Sequence, residues 1–382
     1  MKSLFEDVAQ QLARRWKARN VPRYGRSFRC QCGRPIFFRN SQCLACGSAL
    51  GFEPTLGAIR SLVTAPDGAM LRLAGEGDGN TYRRCANFDS PAGCNWLVPA
   101  EDASPYCVAC RLNRTIPDLT DVDNQRYWRA IEVAKRRLVS QLVALGLPVR
   151  SKLAEDTERG LMFDLLRSPP EGPRVLTGHA GGLITLNVEE ADDAKRERIR
   201  HDLHEPYRTL LGHFRHEVGH YYWDRLIWSS KWLEPYRALF GDERSDYAAA
   251  LKANYDNGPP ADWADRFISA YASTHPWEDW AETWAHYLHV VDSLGTALGF
   301  GLDADDLEAE VEPFTRADLY APEDPDAERF LYLLNSWLEM TTVLNELARS
   351  MGQPDFYPFV MSRPVVAKLQ FVHMVVRDAR AA

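Results

Sequence analysis

The stretch Pro206-Tyr-Arg-Thr-Leu-Leu-Gly-His-Phe-Arg-His-Glu-Val-Gly-His-Tyr-Tyr-Trp-Asp-Arg225 decides how the chain is read. Inside it lies His216-Glu217-Val218-Gly219-His220, an H-E-x-x-H. On a helix, His216 and His220 stand one turn apart on one face, where two imidazoles can hold one zinc ion. Glu217 follows the first histidine and can reach a water at such an ion as general base. Pro206 suits a first helical turn, with Asp202 and Glu205 beside the positive end of the dipole. Gly212 and Gly219 weaken the helix without having to break it. A glycine at 219 also lets another backbone or a substrate approach closely.

H-E-x-x-H is short and arises by chance on solvated helices, so the third ligand matters. Asp224 lies four residues past His220. It is about 12 Å along the axis from His216 on a continuous helix, too far to share zinc bonds of about 2 Å. Asp224 therefore reads as a residue that orients a ligand or forms a salt bridge. The metzincin pattern needs Gly and His where Trp223 and Leu226 stand, so it fails. The remaining source is His275-Pro-Trp-Glu-Asp-Trp-Ala-Glu-Thr-Trp-Ala-His-Tyr-Leu-His289. There Glu278, Glu282 and His286 recur every four residues and share a helix face. Trp277, Trp280 and Trp284 form a second stripe that reads as core. One carboxylate can complete a His2Glu site while its neighbour hydrogen-bonds a ligand histidine. Spacing alone does not say which of Glu278 and Glu282 does which.

These two stretches resemble the gluzincin pattern, in which a glutamate on a downstream helix is the third ligand, often with an acidic residue four places on. That resemblance implies Glu278 as ligand and Glu282 as its supporting neighbour. More closely, the chain resembles a bacterial family of zinc-binding metallopeptidases with an N-terminal zinc ribbon. The resembling segments are Leu176-Thr-Gly-His-Ala-Gly-Gly-Leu-Ile-Thr-Leu-Asn187, the H-E-x-x-H helix, 275–289, and Ser350-Met-Gly-Gln-Pro-Asp355. The resemblance implies a zincin-like peptidase domain acting on a peptide or protein.

Residues 28–110 hold all eight cysteines. Cys30, Cys32, Cys43 and Cys46 form one group; Cys85, Cys94, Cys107 and Cys110 form the other. Two groups of four match two tetrahedral sulfur sites for structural zinc. Disulfides are the competing reading; the first residues lack a signal peptide's apolar core, and a reducing cytoplasm is the expected location. The one-residue gap of Cys30/Cys32 and the eight-residue gap of Cys85/Cys94 leave an interleaved pairing open. Ala58–Thr64 and Ala69–Leu73, flanking Pro-Asp-Gly, read as a hairpin.

The fold class expected is α+β. A basic helical extension (1–27) precedes a small β zinc ribbon (28–115), and a mostly helical zincin-like domain follows (118–382). No apolar run suits a membrane. The net charge of −8 argues against a polyanion binder as a whole, yet residues 1–39 carry +8 against −16 for the rest. That contrast supports a rival reading. In it the chain is a zinc-stabilised scaffold whose ribbon and basic segment contact a protein or nucleic acid.

Further expectations come from the same reading. Residues 3–18 read as an amphipathic helix. A linker is expected over 113–124, followed by a helix over 127–145 with Lys135, Arg136 and Arg137 exposed. Strands are expected over 163–166 and 182–188, the second as a sheet edge along which an extended substrate could lie. His179 and Tyr357 are further site candidates, Tyr357 as an oxyanion donor. His213 reads as a buried, satisfied histidine.

Overall fold

The computed structural model describes residues 27–66, 68–75, 79–202, 207–307 and 309–381. The amphipathic helix expected over 3–18, most of the basic segment and the helix entry at Pro206 lie outside them. The chain divides into two compact units. Among its described residues, one comprises 27–202 and 209–214. The other comprises 207–208 and 215–381.

In the first unit, β1 (Phe28–Arg29) and β2 (Pro35–Ile36) pair antiparallel. An antiparallel meander follows, with β3 (Leu50–Glu53), β4 (Ala58–Thr64), β5 (Leu71–Leu73), β6 (Tyr82–Arg84) and β7 (Leu97–Pro99) in sequence order. The β4–β5 hairpin is the one Pro-Asp-Gly signals. Phe38, Phe52 and Trp96 pack as a small aromatic core, with Phe52 and Trp96 centroids 4.5 Å apart. This is the small β-rich region expected around the cysteines.

Residues 113–124 are not simply a linker. β8 (Asn113–Thr115) forms the edge of a four-stranded sheet ordered β10 (Gly178–Ala180), β11 (Leu183–Asn187), β9 (Met162–Leu166), β8. Strand β11 pairs antiparallel with β10 and parallel with β9, so both its edges are filled. The expectation that 183–187 is a free sheet edge is therefore corrected; short β10 takes that position along Leu183–Thr185.

Helix α1 (Val122–Ala144) starts where the Asp121 carboxylate accepts the amides of Asp123 and Asn124. Its basic cluster departs from expectation, because Lys135 is 0% exposed and Arg136 5%. The buried Glu132 carboxylate accounts for this, lying 2.6 Å from Lys135 Nζ and 3.9 Å from Arg136 Nη1. A hydrophobic-face reading cannot see a pair that carries its own counter-charge inward.

The second unit is mostly helical. Helix α2 (Asp193–Asp202) belongs to the first unit, as do the first residues of α3 (Leu210–Tyr222), the helix that carries the H-E-x-x-H. Helix α3 is shorter than the expected 206–225, passing at Trp223–Ile227 into a π turn. Then come α4 (Leu233–Phe240), α5 (Tyr247–Asn257), the short α6 (Trp263–Arg266), α7 (Pro276–Phe300), α8 (Ala327–Ser350) and α9 (Arg363–Ala381). Helix α7 is well specified at both ends. His275 caps it through Nδ1, Pro276 opens the first turn, and Glu278 and Asp279 face the positive dipole end. Gly301, at φ +82°, closes it in the left-handed region. Trp280 and Trp284 are fully buried in the core, as their stripe predicts. Among the described residues no helix is long and apolar enough to cross a membrane.

Candidate metal centres

Gly219 sets the geometry of the H-E-x-x-H. A Cβ there would lie 2.9 Å from Ala281 Cα and 3.3 Å from Ala281 O. Of the two occupants left open for that space, it is a backbone, that of α7. Trp280 Nε1 donates to Gly219 O at 2.8 Å across the same contact. The close crossing brings the acidic face of α7 against the histidine face of α3.

His216 is held from both ring nitrogens. Its Nδ1 lies 2.7 Å from Glu282 Oε1, and Ser269 Oγ donates to Glu282 Oε2 at 2.7 Å. Its Nε2 lies 2.9 Å from Glu278 Oε2 and 3.2 Å from His220 Nε2. His220 Nε2 stands 3.5 Å from Glu278 Oε2. The three edges match the separation of about 3.3 Å between ligands on tetrahedral zinc with bonds of about 2.0–2.1 Å. Glu278 Oε2 is buried with no donor aligned to it, and Tyr247 Oη donates to the other oxygen, Oε1, at 2.7 Å. A buried carboxylate oxygen facing two imidazole nitrogens, with no proton directed at it, suits a cation. These donors fit zinc. Glu217, beside them on α3, is 8% exposed.

The charges reinforce one another. Burial pushes the Glu278 carboxyl upward, yet contacts with His216 and His220 outweigh this and hold it well below the usual range. Burial likewise raises Glu282, but its bond to His216 brings it down to about 2. Burial disfavours a charged His216, and the two carboxylates overcome that and raise its pKa well above normal.

The other candidates fall elsewhere. Asp224 sits in the π turn and is not one of the three converging residues. His286 Nδ1 and Tyr357 Oη lie 2.7 Å apart, so the Tyr357 hydroxyl is engaged with that ring. Burial lowers His286 to about 4, and its ring lies in the field of Glu282. His179 belongs to the first unit, where its Nε2 accepts the Gly182 amide at 3.0 Å and closes the β10–β11 turn. His213 is paired with Glu190. Ser269, Tyr247 and Tyr271, whose ring centroid is 5.9 Å from that of His216, escaped the sequence reading. Ser269 and Tyr271 lie on a bend and a single 3-10 turn, and Tyr247 is the first residue of α5, so none belongs to a periodic stripe.

The cysteines converge in two sets, Cys30/Cys32/Cys43/Cys46 and Cys85/Cys94/Cys107/Cys110. Sulfur atoms lie 3.6 Å apart in Cys30–Cys46, 3.8 Å in Cys32–Cys43 and 3.7 Å in Cys94–Cys107. Thiolates on one zinc ion at about 2.3 Å stand about 3.8 Å apart, whereas a disulfide needs about 2.05 Å. All eight are free thiols grouped without interleaving. Gly33 and Gly47, at φ +82° and +73°, turn the chain directly after Cys32 and Cys46. The second set is wholly buried, while Cys32 and Cys46 of the first are exposed.

Comparison with known proteins agrees with this layout. Residues 124–375 match the model of a family described as "Putative zinc-binding metallo-peptidase", and residues 27–121 match a zinc-ribbon domain. Uncharacterized proteins of Mycobacterium bovis and of two Mycobacterium tuberculosis strains are each 44% identical over 355 residues. Each match covers 92% of this chain and 96% of the relative. No solved structure matches the chain.

Proposed function

The chain belongs to the "Putative zinc-binding metallo-peptidase" family, and we propose on that premise that it hydrolyses peptide bonds in a peptide or protein substrate. The observation that carries the reading is the buried convergence of His216 Nε2, His220 Nε2 and Glu278 Oε2 beside Glu217. His216, His220 and Glu278 would hold a catalytic zinc, with the two cysteine sets holding structural zinc. Zinc bound by three such ligands supplies Lewis acidity and lowers the pKa of water towards about 7.

This chain's residues do the rest. Glu217 takes the proton from the attacking water and passes it to the leaving amine. Glu282 accepts from His216 Nδ1, which fixes the ring with Nε2 towards the ion. Tyr247 occupies Glu278 Oε1 and leaves Oε2 to bind. The rival scaffold reading gives Glu217 no reason to stand beside the histidine pair.

The test combines elemental analysis with a peptide-library digest. Wild type should carry three zinc ions and His216→Ala/His220→Ala two. Glu217→Gln should keep three and lose hydrolysis by about 10²–10⁴-fold. Undiminished hydrolysis by fully loaded Glu217→Gln refutes the mechanism.

A further inference from the structure

Within the first unit lies a cavity of about 240 Å³ lined by Phe38, Arg39, Ala92, Gly93, Asn95, Arg129, Val133 and Arg136. Three arginines line it and no Asp or Glu does. Arg129, Val133 and Arg136 form one stripe of α1 at helical spacing. Arg39 comes from the loop after β2. Asn95 fixes that loop, its Nδ2 donating at 2.9 Å to the carbonyls of Phe38 and Asn40 on either side of Arg39.

The charge balance is unusual for this molecule. Arg111, Arg114, Arg167, Arg215, Arg237, Arg349 and Arg377 all sit on carboxylates within 3.0 Å. The side chains of Arg39 and Arg129 make no hydrogen bond or ion pair with any described residue, although the Arg129 backbone is part of α1. Arg136 is 5% exposed; its Nη2 donates to Ala92 O at 3.0 Å, while its buried Nη1 has no hydrogen-bond partner. The nearest carboxylate to Nη1 is Glu132 at 3.9 Å, and Lys135 already pairs with Glu132 at 2.6 Å. Arg136 lies in the field of Glu132 and of the Cys94, Cys107 and Cys110 sulfurs, yet Nη1 has no acceptor at hydrogen-bond distance, and a buried guanidinium nitrogen left so is costly.

We propose that this cavity binds a phosphomonoester group, held between Arg136 at its base and Arg39 and Arg129 at its rim. Arginine forks match phosphate oxygens in bidentate fashion, and a dianion offsets the convergence of three like charges. The cavity is smaller than the usual ligand pocket of about 300–1,000 Å³, so the ligand is a small phosphorylated molecule. Phe38, Ala92 and Val133 provide an apolar wall for its organic part. Because Cys94 follows Gly93, the site borders the buried cysteine set.

The experiment is calorimetric titration of the full zinc-loaded chain at low salt. Adenosine 5′-monophosphate, inorganic phosphate, citrate and a ten-nucleotide thymidine strand serve as probes. Arg136 also serves the fold, so the variants are the exposed Arg39→Ala and Arg129→Ala, with zinc content and circular dichroism checked. Adenosine 5′-monophosphate should bind best, and each variant should weaken it about tenfold. The proposal is overturned by no binding up to about 10 mM phosphate or nucleotide. It is equally overturned by variants that bind like wild type, or by citrate or the oligonucleotide binding more tightly than the monophosphate.

Discussion

The Cβ that Gly219 lacks would stand 2.9 Å from the Ala281 Cα, with backbone rather than a movable side-chain tip in its way. That contact holds α3 against α7 at the distance where His216 and His220 meet Glu278. Gly219→Ala gains about 1 kcal/mol of helix propensity. It should nonetheless destabilise by a net of about 1–3 kcal/mol, because overpacking against backbone forces the helices apart. Denaturant unfolding checks the stability, and zinc competition should show weaker binding at the histidine site. Unchanged zinc affinity would mean that the crossing does not set the site.

The two glutamates of α7 should separate by metal affinity. Glu278→Gln removes a donor and should reduce the protein from three zinc ions to two. Glu282→Gln removes the acceptor of His216 Nδ1 and should keep three, with affinity at that site reduced about 10–100-fold. Chelator competition reads both, and the opposite ranking would exchange their roles.

The pH dependence of stability should carry the signature of His286. Burial depresses its folded pKa to about 4, below the unfolded value of about 6.5. The unfolded state therefore takes up a proton first, and stability is lost as pH falls through 6.5 towards 4. The contribution is about 3 kcal/mol. Asp279 acts in the opposite sense: burial raises it to about 7 despite Lys368, so its cost grows as pH rises from 3.8 to 7. The clean readout is thus His286→Asn against wild type, by denaturant unfolding between pH 7.5 and about 4.5. The variant should lose less stability on acidification; identical slopes would contradict the assignment.

The cysteine sets should release zinc unequally. Chelator should strip the Cys30 set first, because Cys32 and Cys46 are exposed while the Cys85 set is buried. Chromogenic zinc release should be biphasic. Cys46→Ser should remove the faster phase and leave a folded chain, whereas Cys107→Ser should disrupt the ribbon, whose small core depends on the metal. A single phase would refute the distinction.

What the sequence by itself determined is what depends on local spacing. Residues four apart on a helix share a face, so His216 with His220, and Glu278 with Glu282, could be paired before any fold was known. The two runs of four cysteines and the β4–β5 hairpin follow from equally short intervals. Tertiary structure alone decided everything that depends on what meets a face. Which nitrogen of His216 each glutamate faces follows from the α3–α7 crossing, which points Glu278 at Nε2 and Glu282 at Nδ1. Burial of Lys135 and Arg136 follows from Glu132 entering the interior with them, a pairing that hydrophobic periodicity reads as a solvated face. One edge of β11 is taken by β10 through the two-residue Gly181-Gly182 turn, a short-range signal that the strand reading passed over; the other is taken by β9, a parallel pairing that leaves no mark in the alternation of a single strand.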